Sequence, residues 1–297
     1  MSVAPGHRAG LVAIVGRPNV GKSTLLNHLV GQKISITSRK PQTTRHRING
    51  ILTVPAGQLV FVDTPGFQTQ HRSTMNRLMN RSVRTALEEV DAVVWVIEAG
   101  RFDARDEALL KLMPEKVPVV LAMNKIDKVK DKRTLLPFTK AMSERHPFTA
   151  IVPVSAERGQ QVEDLVREIV PLLPEGERLY DEDEITTHSE RFLASEIVRE
   201  KLFRLLGEEV PYSTAVEVEK FETTDTLRRI HVAILVDKPN QKPIIIGKDG
   251  EKLKAVGTQA RKDMEKLFGG KVFLETFVRV KSGWADDAAT LKRMGIE

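Results

Sequence analysis

The stretch "GRPNVGKS", residues 16–23, limits what this chain can be more than any other part of it. It follows the apolar run "LVAIV" 11–15 and opens a helix, the setting that the pattern G-x-x-x-x-G-K-[ST] requires. Gly16 and Gly21 let the backbone curl so that its N–H groups converge on phosphate oxygens, and the helix N-terminus adds its positive end. Lys22 then reaches the β and γ oxygens and Ser23 ligates Mg²⁺. A nucleoside triphosphate site built from Gly16, Arg17, Pro18, Asn19, Val20, Gly21, Lys22, Ser23 and Thr24 is the expectation.

The segments around this loop agree with it. "LVAIV", "QLVFVDTPG" 58–66, "DAVVWVIEAG" 91–100, "VPVVLAMNKID" 117–127 and "TAIVPVSA" 149–156 are short apolar runs bounded by Gly, Pro or Asp. They are far enough apart for crossover helices, which predicts an α/β P-loop domain with a mostly parallel, buried sheet. A helix over 161–173 closes it, and the acidic "PEGERLYDEDE" 174–184 reads as a linker.

Three motifs at carboxyl ends of these strands, where ligands collect in open α/β sheets, turn a nucleotide into a guanine nucleotide. "DTPG" 63–66 brings Asp63 to hold Mg²⁺ through water, with Thr64 and Pro65 leading to Gly66, whose N–H is offered to the γ-phosphate. In "NKID" 124–127, Asp127 accepts two hydrogen bonds from guanine N1–H and N2–H₂; adenine would set acceptor against acceptor, a mismatch costing several kcal/mol when buried. Asn124 is expected at N7, Lys125 over the ribose, and the backbone of Ser155 and Ala156 at guanine O6.

Between the first two motifs, "SITSRKPQTTRHRING" 35–50 is polar and basic without apolar periodicity, a surface loop suited to a nucleotide switch. Thr44 is the candidate to complete the Mg²⁺ shell, with Thr43 the competitor. Lys22, Thr44 and Gly66 would act on the reacting phosphate. Many GTPases place a water-orienting Gln after the "DTPG" glycine; here Phe67 stands there and intrinsic hydrolysis should be slow. Backbone groups, a partner or a monovalent cation such as K⁺, held by Asn19 and Ser38, would then stand in.

Past the linker the order becomes α-β-β-α-β: a helix over 189–206, strands over 213–222 and 227–237, a helix over 251–268 and a strand over 271–284, a small α+β domain. "PIIIGKDGEKLK" 243–254 reads as a strand entering a glycine-bracketed turn that opens the second helix. Its G-x-x-G is too short for a nucleotide loop. In this context it fits the K-homology arrangement, which clamps about four nucleotides of a single strand. Ile246, Gly247, Lys248, Asp249, Gly250, Lys252 and Lys254 are the expected RNA contacts, with Ile244 and Ile245 helping to wall the groove. Arg228, Arg229, Lys262 and Lys266 read as a solvated face.

The bulk numbers set the frame. There is no cysteine, so disulfides, thiol catalysis and thiolate metal sites are excluded. No signal-like start or membrane-length apolar run occurs, and a cytoplasmic protein is expected. The net charge of +6 divides into +9 over 1–174, −5 over 175–184 and +2 over 185–297, a basic excess that favours a polyanionic partner.

The order "GRPNVGKST", "PQTTRHRING", "DTPG", "NKID", "SAERG", "SERFLASEIVREKLFRLL" and "IIIGKDGEKLKAVG" resembles the Era family of bacterial GTPases, over nearly the whole chain. The resemblance implies a GTPase domain over 1–178 and a type II K-homology RNA-binding domain over 186–297. It implies GTP/GDP and Mg²⁺, GTP hydrolysis coupled to binding the 3′ end of 16S ribosomal RNA, and a role in assembling the small (30S) ribosomal subunit. It also implies peripheral association with the inner face of the cell membrane, and a monomer is expected. Arg17 sits at a variable loop position in such proteins, so no special role is expected of it. Two other readings compete: a binding module in which guanine nucleotide is structural and turnover incidental, and a regulator at an anionic membrane surface.

Overall fold

The computed structural model describes residues 6–38, 40, 43–67, 74–207, 210–285, 287 and 291. Two compact units divide the chain: Met1–Ser35, Thr44–Arg72 and Asn76–Thr187 form the first, and Ile36–Thr43, Ser73–Met75 and His188–Glu297 the second.

The first unit is a six-stranded sheet with helices. Its strands are β1 (Arg8–Val15), β2 (Ile48–Val54), β3 (Gly57–Asp63), β4 (Ala92–Glu98), β5 (Val119–Asn124) and β6 (Ala150–Pro153), in the order β2-β3-β1-β4-β5-β6. All neighbours are parallel except β2 on β3. The helices are α1 (Lys22–Val30), α2 (Thr74–Glu88), α3 (Ala104–Leu110), α4 (Leu135–Ser143) and α5 (Val162–Ile169). Continuous apolar runs make strands buried on both faces, and Val93–Ile97 are fully buried. Trp95 packs edge-on against Phe102 at 6.2 Å and tilted against Phe148 at 5.8 Å. Phe67 belongs to the same core, so its side chain serves packing. Because β1, β3, β4, β5 and β6 run the same way, all their following loops gather at one edge.

Two features depart from the sequence reading. Residues 48–50, expected within a loop, begin strand β2. The Asn-Gly pair inside "INGILTV" looks like a turn, but Gly50 is where the strand crosses α1: a Cβ there would stand 2.6 Å from Leu26 Cδ1. The acidic stretch after Pro174 is also no free linker. The buried Gln58 accepts from Leu179 N at 2.7 Å and Tyr180 N at 2.9 Å and donates to Tyr180 O at 2.9 Å. Further on, Ile51 N donates to Ile185 O at 2.9 Å and Thr186 Oγ1 to Asn49 O at 2.6 Å. The segment thereby covers the exposed edge of β2. Helix α5 ends before Pro171, which cannot donate, and Val170–Leu172 form a tighter turn.

The second unit holds α6 (Glu190–Leu205), β7 (Thr214–Thr223), β8 (Leu227–Val236), α7 (Gln241–Ile246), α8 (Glu251–Phe268) and β9 (Lys271–Val280), with strand order β7-β8-β9. β7 is antiparallel and β9 parallel to β8. Ser189 caps α6 by accepting from Phe192 N. The segment 243–246, expected as a strand, is the end of helix α7: Pro243 lies in its first turn, where no N–H is needed, and Gly247 N donates back to Pro243 O at 2.9 Å. Three successive isoleucines favour a strand by propensity, but the glycine cap decides. β9 ends at Val280 rather than 284, where the chain turns at Gly283 and buries Trp284 completely, its Nε1 donating to Ser213 O at 3.1 Å. Beyond β9 the chain is docked at Trp284 and at the buried Leu291; 286, 288–290 and 292–297 lie outside the described residues.

Among the described residues no helix is long and apolar enough to cross a membrane. Trp284→Ala should destabilise the second unit by about 3–5 kcal/mol, seen as an earlier transition in urea unfolding followed by circular dichroism. An unshifted transition would mean that the indole adds nothing to that core.

Candidate nucleotide and RNA sites

The loop Gly16–Gly21 sits tightly against its neighbours. Gly21 caps α1 at φ 103°, and a Cβ there would stand 2.3 Å from Asn124 Nδ2. At Gly16 a Cβ would meet Val96 O at 2.4 Å. Lys22 is buried, its Nζ donating across the loop to Gly16 O at 3.1 Å and Arg17 O at 3.2 Å. Burial lowers its pKa to about 8, although Asp63 pulls the other way. An ammonium that donates to two loop carbonyls at the N-terminus of α1 suits an incoming polyanion.

Hard oxygens meet beside it. Ser23 Oγ is 2.8 Å from Thr44 Oγ1 and donates to Asp63 Oδ2 at 2.7 Å, and Ser35 Oγ donates to the same oxygen at 3.0 Å. Asp63 Oδ1 is buried with no partner, and burial raises the carboxyl's pKa although Lys22 and both serine hydroxyls oppose it. A desolvated carboxylate short of a partner, among hydroxyls, fits Mg²⁺. Between the competing threonines the structure brings Thr44 here; Thr43 Oγ1 donates to Lys40 O at 2.8 Å. Ser35 was not foreseen, since a lone Ser in a polar loop gives no signal. Thr64 is spent on Ile14 O, to which its Oγ1 donates at 2.9 Å. Gly66 lies so close to the first loop that a Cβ would be 2.8 Å from Pro18 N, and Phe67 N donates to Gly16 O at 3.4 Å.

The base-side motifs join the same edge. Asn124 Nδ2 donates to Val20 O at 2.7 Å and its Oδ1 accepts from Ala156 N at 2.9 Å, tying three loops together. Lys125 adopts φ 67° and its Nζ donates to Glu98 Oε2 at 3.0 Å. Ser155 Oγ donates to Asp127 Oδ1 at 2.6 Å. Burial would raise the pKa of Asp127, but that hydroxyl, its own N–H, Arg158 and Lys128 together hold it below the usual range, charged and ready to accept.

Arg17, expected to have no special role, is only 4% exposed. Its Nε donates to the fully buried Asp106 at 3.1 Å, and its Nη2 lies 3.7 Å from Glu98, which also takes Lys125. Asp106 Oδ2 further accepts from Asp103 N at 3.1 Å, closing the capping box of α3. The start of α3 thus braces the phosphate loop, and Glu98 at the end of β4 joins that loop to the base loop.

In the second unit Gly247–Gly250 join α7 to α8, with Gly247 at φ 75°, Asp249 at φ 51° and Gly250 at φ 78°. Lys248, Asp249, Lys252 and Lys254 are exposed, and Ile246 and the glycines are half-buried. Ile245 is not a groove wall; it is fully buried in the unit's core, while Ile244 is exposed. Beside the turn opens a cavity of about 380 Å³ between α8 and β9, lined by Gly250, Leu253, Lys254, Gly257, Thr258, Arg261, Leu274 and Thr276. Of these only Gly250 and Lys254 were expected. Gly257, in mid-helix, was the readable signal: α8 approaches β9 there, with a Cβ position 3.6 Å from Thr276 Oγ1.

The 50S ribosome-binding GTPase family matches residues 11–125 and the KH domain family residues 209–285. The chain is 59% identical over 294 residues to GTPase Era of Nitrosomonas eutropha, covering 99% of each, and 58% identical over 297 residues to that of Chromobacterium violaceum, covering all of both. The chain belongs to the Era family of GTPases. A crystal structure of an Aquifex aeolicus Era variant bound to GDP·AlF4⁻ matches with TM-score 0.94 at 41% identity, covering 97% of this chain and 99% of that one. A crystal structure of Era with MgGDPNP and nucleotides 1506–1542 of 16S ribosomal RNA matches with TM-score 0.93 at 41% identity, covering 98% and 99%.

If the brace behind the nucleotide loops of this Era family member sets how long nucleotide stays, Asp106→Asn should speed GDP release about 10-fold, a shift of about 1.4 kcal/mol. The amide oxygen still accepts from Asp103 N, while Arg17 is left with Glu98 at 3.7 Å as its counter-charge. Stopped-flow release of a fluorescent GDP checks this; an unchanged rate would confine the pair to packing.

Proposed function

We propose that this chain binds and hydrolyses GTP and, through its second unit, holds the single-stranded 3′ end of 16S ribosomal RNA during assembly of the 30S subunit, acting as a cytoplasmic monomer with the GTPase in 1–178 and the RNA site in 186–297. The observation that carries the reading is the likeness, at 41% identity over nearly the full chain, to an Era that holds MgGDPNP and 16S ribosomal RNA. Both sites described above have the chemistry for those ligands.

In this reading the loop N–H groups and Lys22 take the phosphates, and Ser23, Thr44 and Asp63 supply oxygens to Mg²⁺. Bound there, Mg²⁺ would offset the phosphate charge. Gly66 offers its N–H where the γ-phosphate ends, Asp127 selects guanine, and Lys125 and Ala156 flank the base. Phe67 contributes packing only, so water is left to backbone groups, a partner or K⁺ near Asn19 and Ser38. Lys248, Lys252 and Lys254 face the RNA backbone while bases enter the cavity beside α8. The switch is read in the polar stretch 35–50, of which 48–50 begin β2. Within the second unit Thr37 N donates to Glu200 at 3.0 Å, Arg204 Nε and Nη2 donate to Thr37 O at 3.2 Å, and Lys40 Nζ donates to Leu206 O at 2.6 Å. A change of nucleotide that moves Thr44 would therefore pull on α6 through the chain itself. Peripheral membrane contact rests on the family resemblance and on the basic excess of 1–174.

Asp127→Asn should shift preference from guanine toward xanthine nucleotide, because an amide can donate to the O2 that a carboxylate repels; retained GTP preference in a competition titration would remove Asp127 from the base site. Replacing Lys248 and Asp249 with two aspartates keeps both glycines. RNA affinity should fall about 10-fold at fixed salt with GTP affinity unmoved. Wild-type RNA binding in a fluorescence anisotropy titration, or loss of GTP instead, would sink the assignment.

A further inference from the structure

Ser35 joins two parts of the first unit that are distant in sequence. It is buried, and its hydroxyl donates to Asp63 Oδ2 at 3.0 Å, with no other partner among the described residues. Its backbone is tied to α1 by the carboxamide of Asn27. Asn27 Oδ1 accepts from Ser35 N at 2.8 Å and from Ile34 N at 3.0 Å, and Asn27 Nδ2 donates to Ser35 O at 2.6 Å. One amide side chain, using both its acceptor and its donor ends, satisfies three neighbouring backbone groups. Ile34 beside it is buried as well, its Cδ1 2.9 Å from where a Cβ on Gly50 of β2 would stand. Ser35 is therefore fixed to α1 by directional bonds and next to a packed isoleucine.

Asp63 has use for such a neighbour. The two oxygens of a carboxylate are chemically equal, and the hydrogen bonds around it decide which one a metal meets. Ser23 Oγ donates to Oδ2 at 2.7 Å, but Ser23 also lies 2.8 Å from Thr44 Oγ1 and supplies its oxygen to Mg²⁺ in the reading above. Its hydroxyl is shared among several tasks, whereas that of Ser35 has one. With both donors on Oδ2, Oδ1 is left buried and without a partner. The carboxylate thus has a single oxygen to offer.

The place of Ser35 in the chain adds a second reason. It is the first residue of the polar stretch that holds the switch, and Thr44 lies further along it. A segment that releases Thr44 when the γ-phosphate leaves needs a fixed near end, or Asp63 would lose a partner each time the segment moves.

We propose that Ser35, held by Asn27, is a positioning residue for Mg²⁺: it keeps Asp63 Oδ2 occupied so that Oδ1 is the oxygen left for the metal's shell, whatever the state of the switch. The inference rests on the reading of Ser23, Thr44 and Asp63 as the Mg²⁺ site and adds to it two residues that do not touch the metal.

The test is binding of a fluorescent GDPNP to the full chain at stepwise Mg²⁺ concentrations and in EDTA, which needs no turnover. Ser35→Ala should raise the half-saturating Mg²⁺ concentration about 10-fold and leave the affinity in EDTA as in wild type. Asn27→Ala should shift the Mg²⁺ requirement the same way, and the double variant should be no worse than Ser35→Ala alone, because the amide acts through the serine. An unchanged Mg²⁺ requirement in Ser35→Ala overturns the inference, as does an equal loss of affinity with and without Mg²⁺, the mark of a packing role. Additive shifts in the double variant overturn the link from Asn27. Asp63→Asn tells the two levels apart. If it needs no more Mg²⁺ than wild type, the metal site itself is misread; if it does and Ser35→Ala does not, only the positioning role fails.

Discussion

The carboxamide of Asn124 is the joint on which the nucleotide edge depends. It sits at the end of β5, donates to Val20 in the phosphate loop and accepts from Ala156 in the last motif loop. Loops at the carboxyl edge of a parallel sheet are not tied to one another by the sheet itself, and their separate fluctuations would blur a site assembled from four of them. A buried amide that uses both ends removes that freedom at the cost of one side chain, and it explains why Gly21 has no room for a Cβ. In addition, the Arg17–Asp106 pair ties the phosphate loop to the start of α3, and Glu98 lies by both Arg17 and Lys125. A buried ion pair is poor evidence of stability, because desolvation offsets its attraction, but it fixes direction: the guanidinium lies between Asp106 at 3.1 Å and Glu98 at 3.7 Å.

Much of this edge could be read in the sequence because its chemistry is local. A glycine-rich loop after a strand, a carboxylate after the next and "NKID" after the fourth carry their purpose in adjacent residues, and the structure brings them to one edge. What escaped was set by distant partners. Arg17 has its partner 89 residues away, and Ser35 meets Asp63 across 28. Gly50 read as part of a surface loop because the side chains it makes room for lie on α1 and beyond. Ile245 looked like its two neighbours, and only the rotation of α7 separates the buried isoleucine from the exposed one. Periodicity over six residues cannot supply that rotation when a proline and a glycine bound the segment.

The two glycine loops answer to different ligands for reasons visible in burial. The first is deep, with a buried lysine whose proton is loosened by desolvation, beside a carboxylate that has an unfilled oxygen. Such a site is costly when empty and suits compact, highly charged phosphates with a metal. The second is shallow, its lysines exposed and its turn held open by three residues at positive φ. There the charges keep their water and act weakly and additively along a backbone, as a polymer of singly charged phosphates requires.

Helix α6 shows how far polar groups can be taken into an interior when each finds a partner. Glu196, Arg199, Glu200 and Lys201 are all buried. Arg199 and Glu196 close a two-bonded pair at 2.7 and 2.6 Å, and Glu200 accepts from Thr37 N while meeting Lys201 at 3.2 Å and Arg204 at 3.0 Å. An apolar residue at 200 would pack as well but could not accept a backbone N–H, so the carboxylate specifies which stretch of chain lies there. That stretch is polar and has no apolar side chains with which to anchor itself beyond Ile36. Directional bonds from one glutamate, one arginine and one lysine are what a segment of such composition can use to take a defined place, and such bonds can be broken one at a time, which a hydrophobic anchor does not allow.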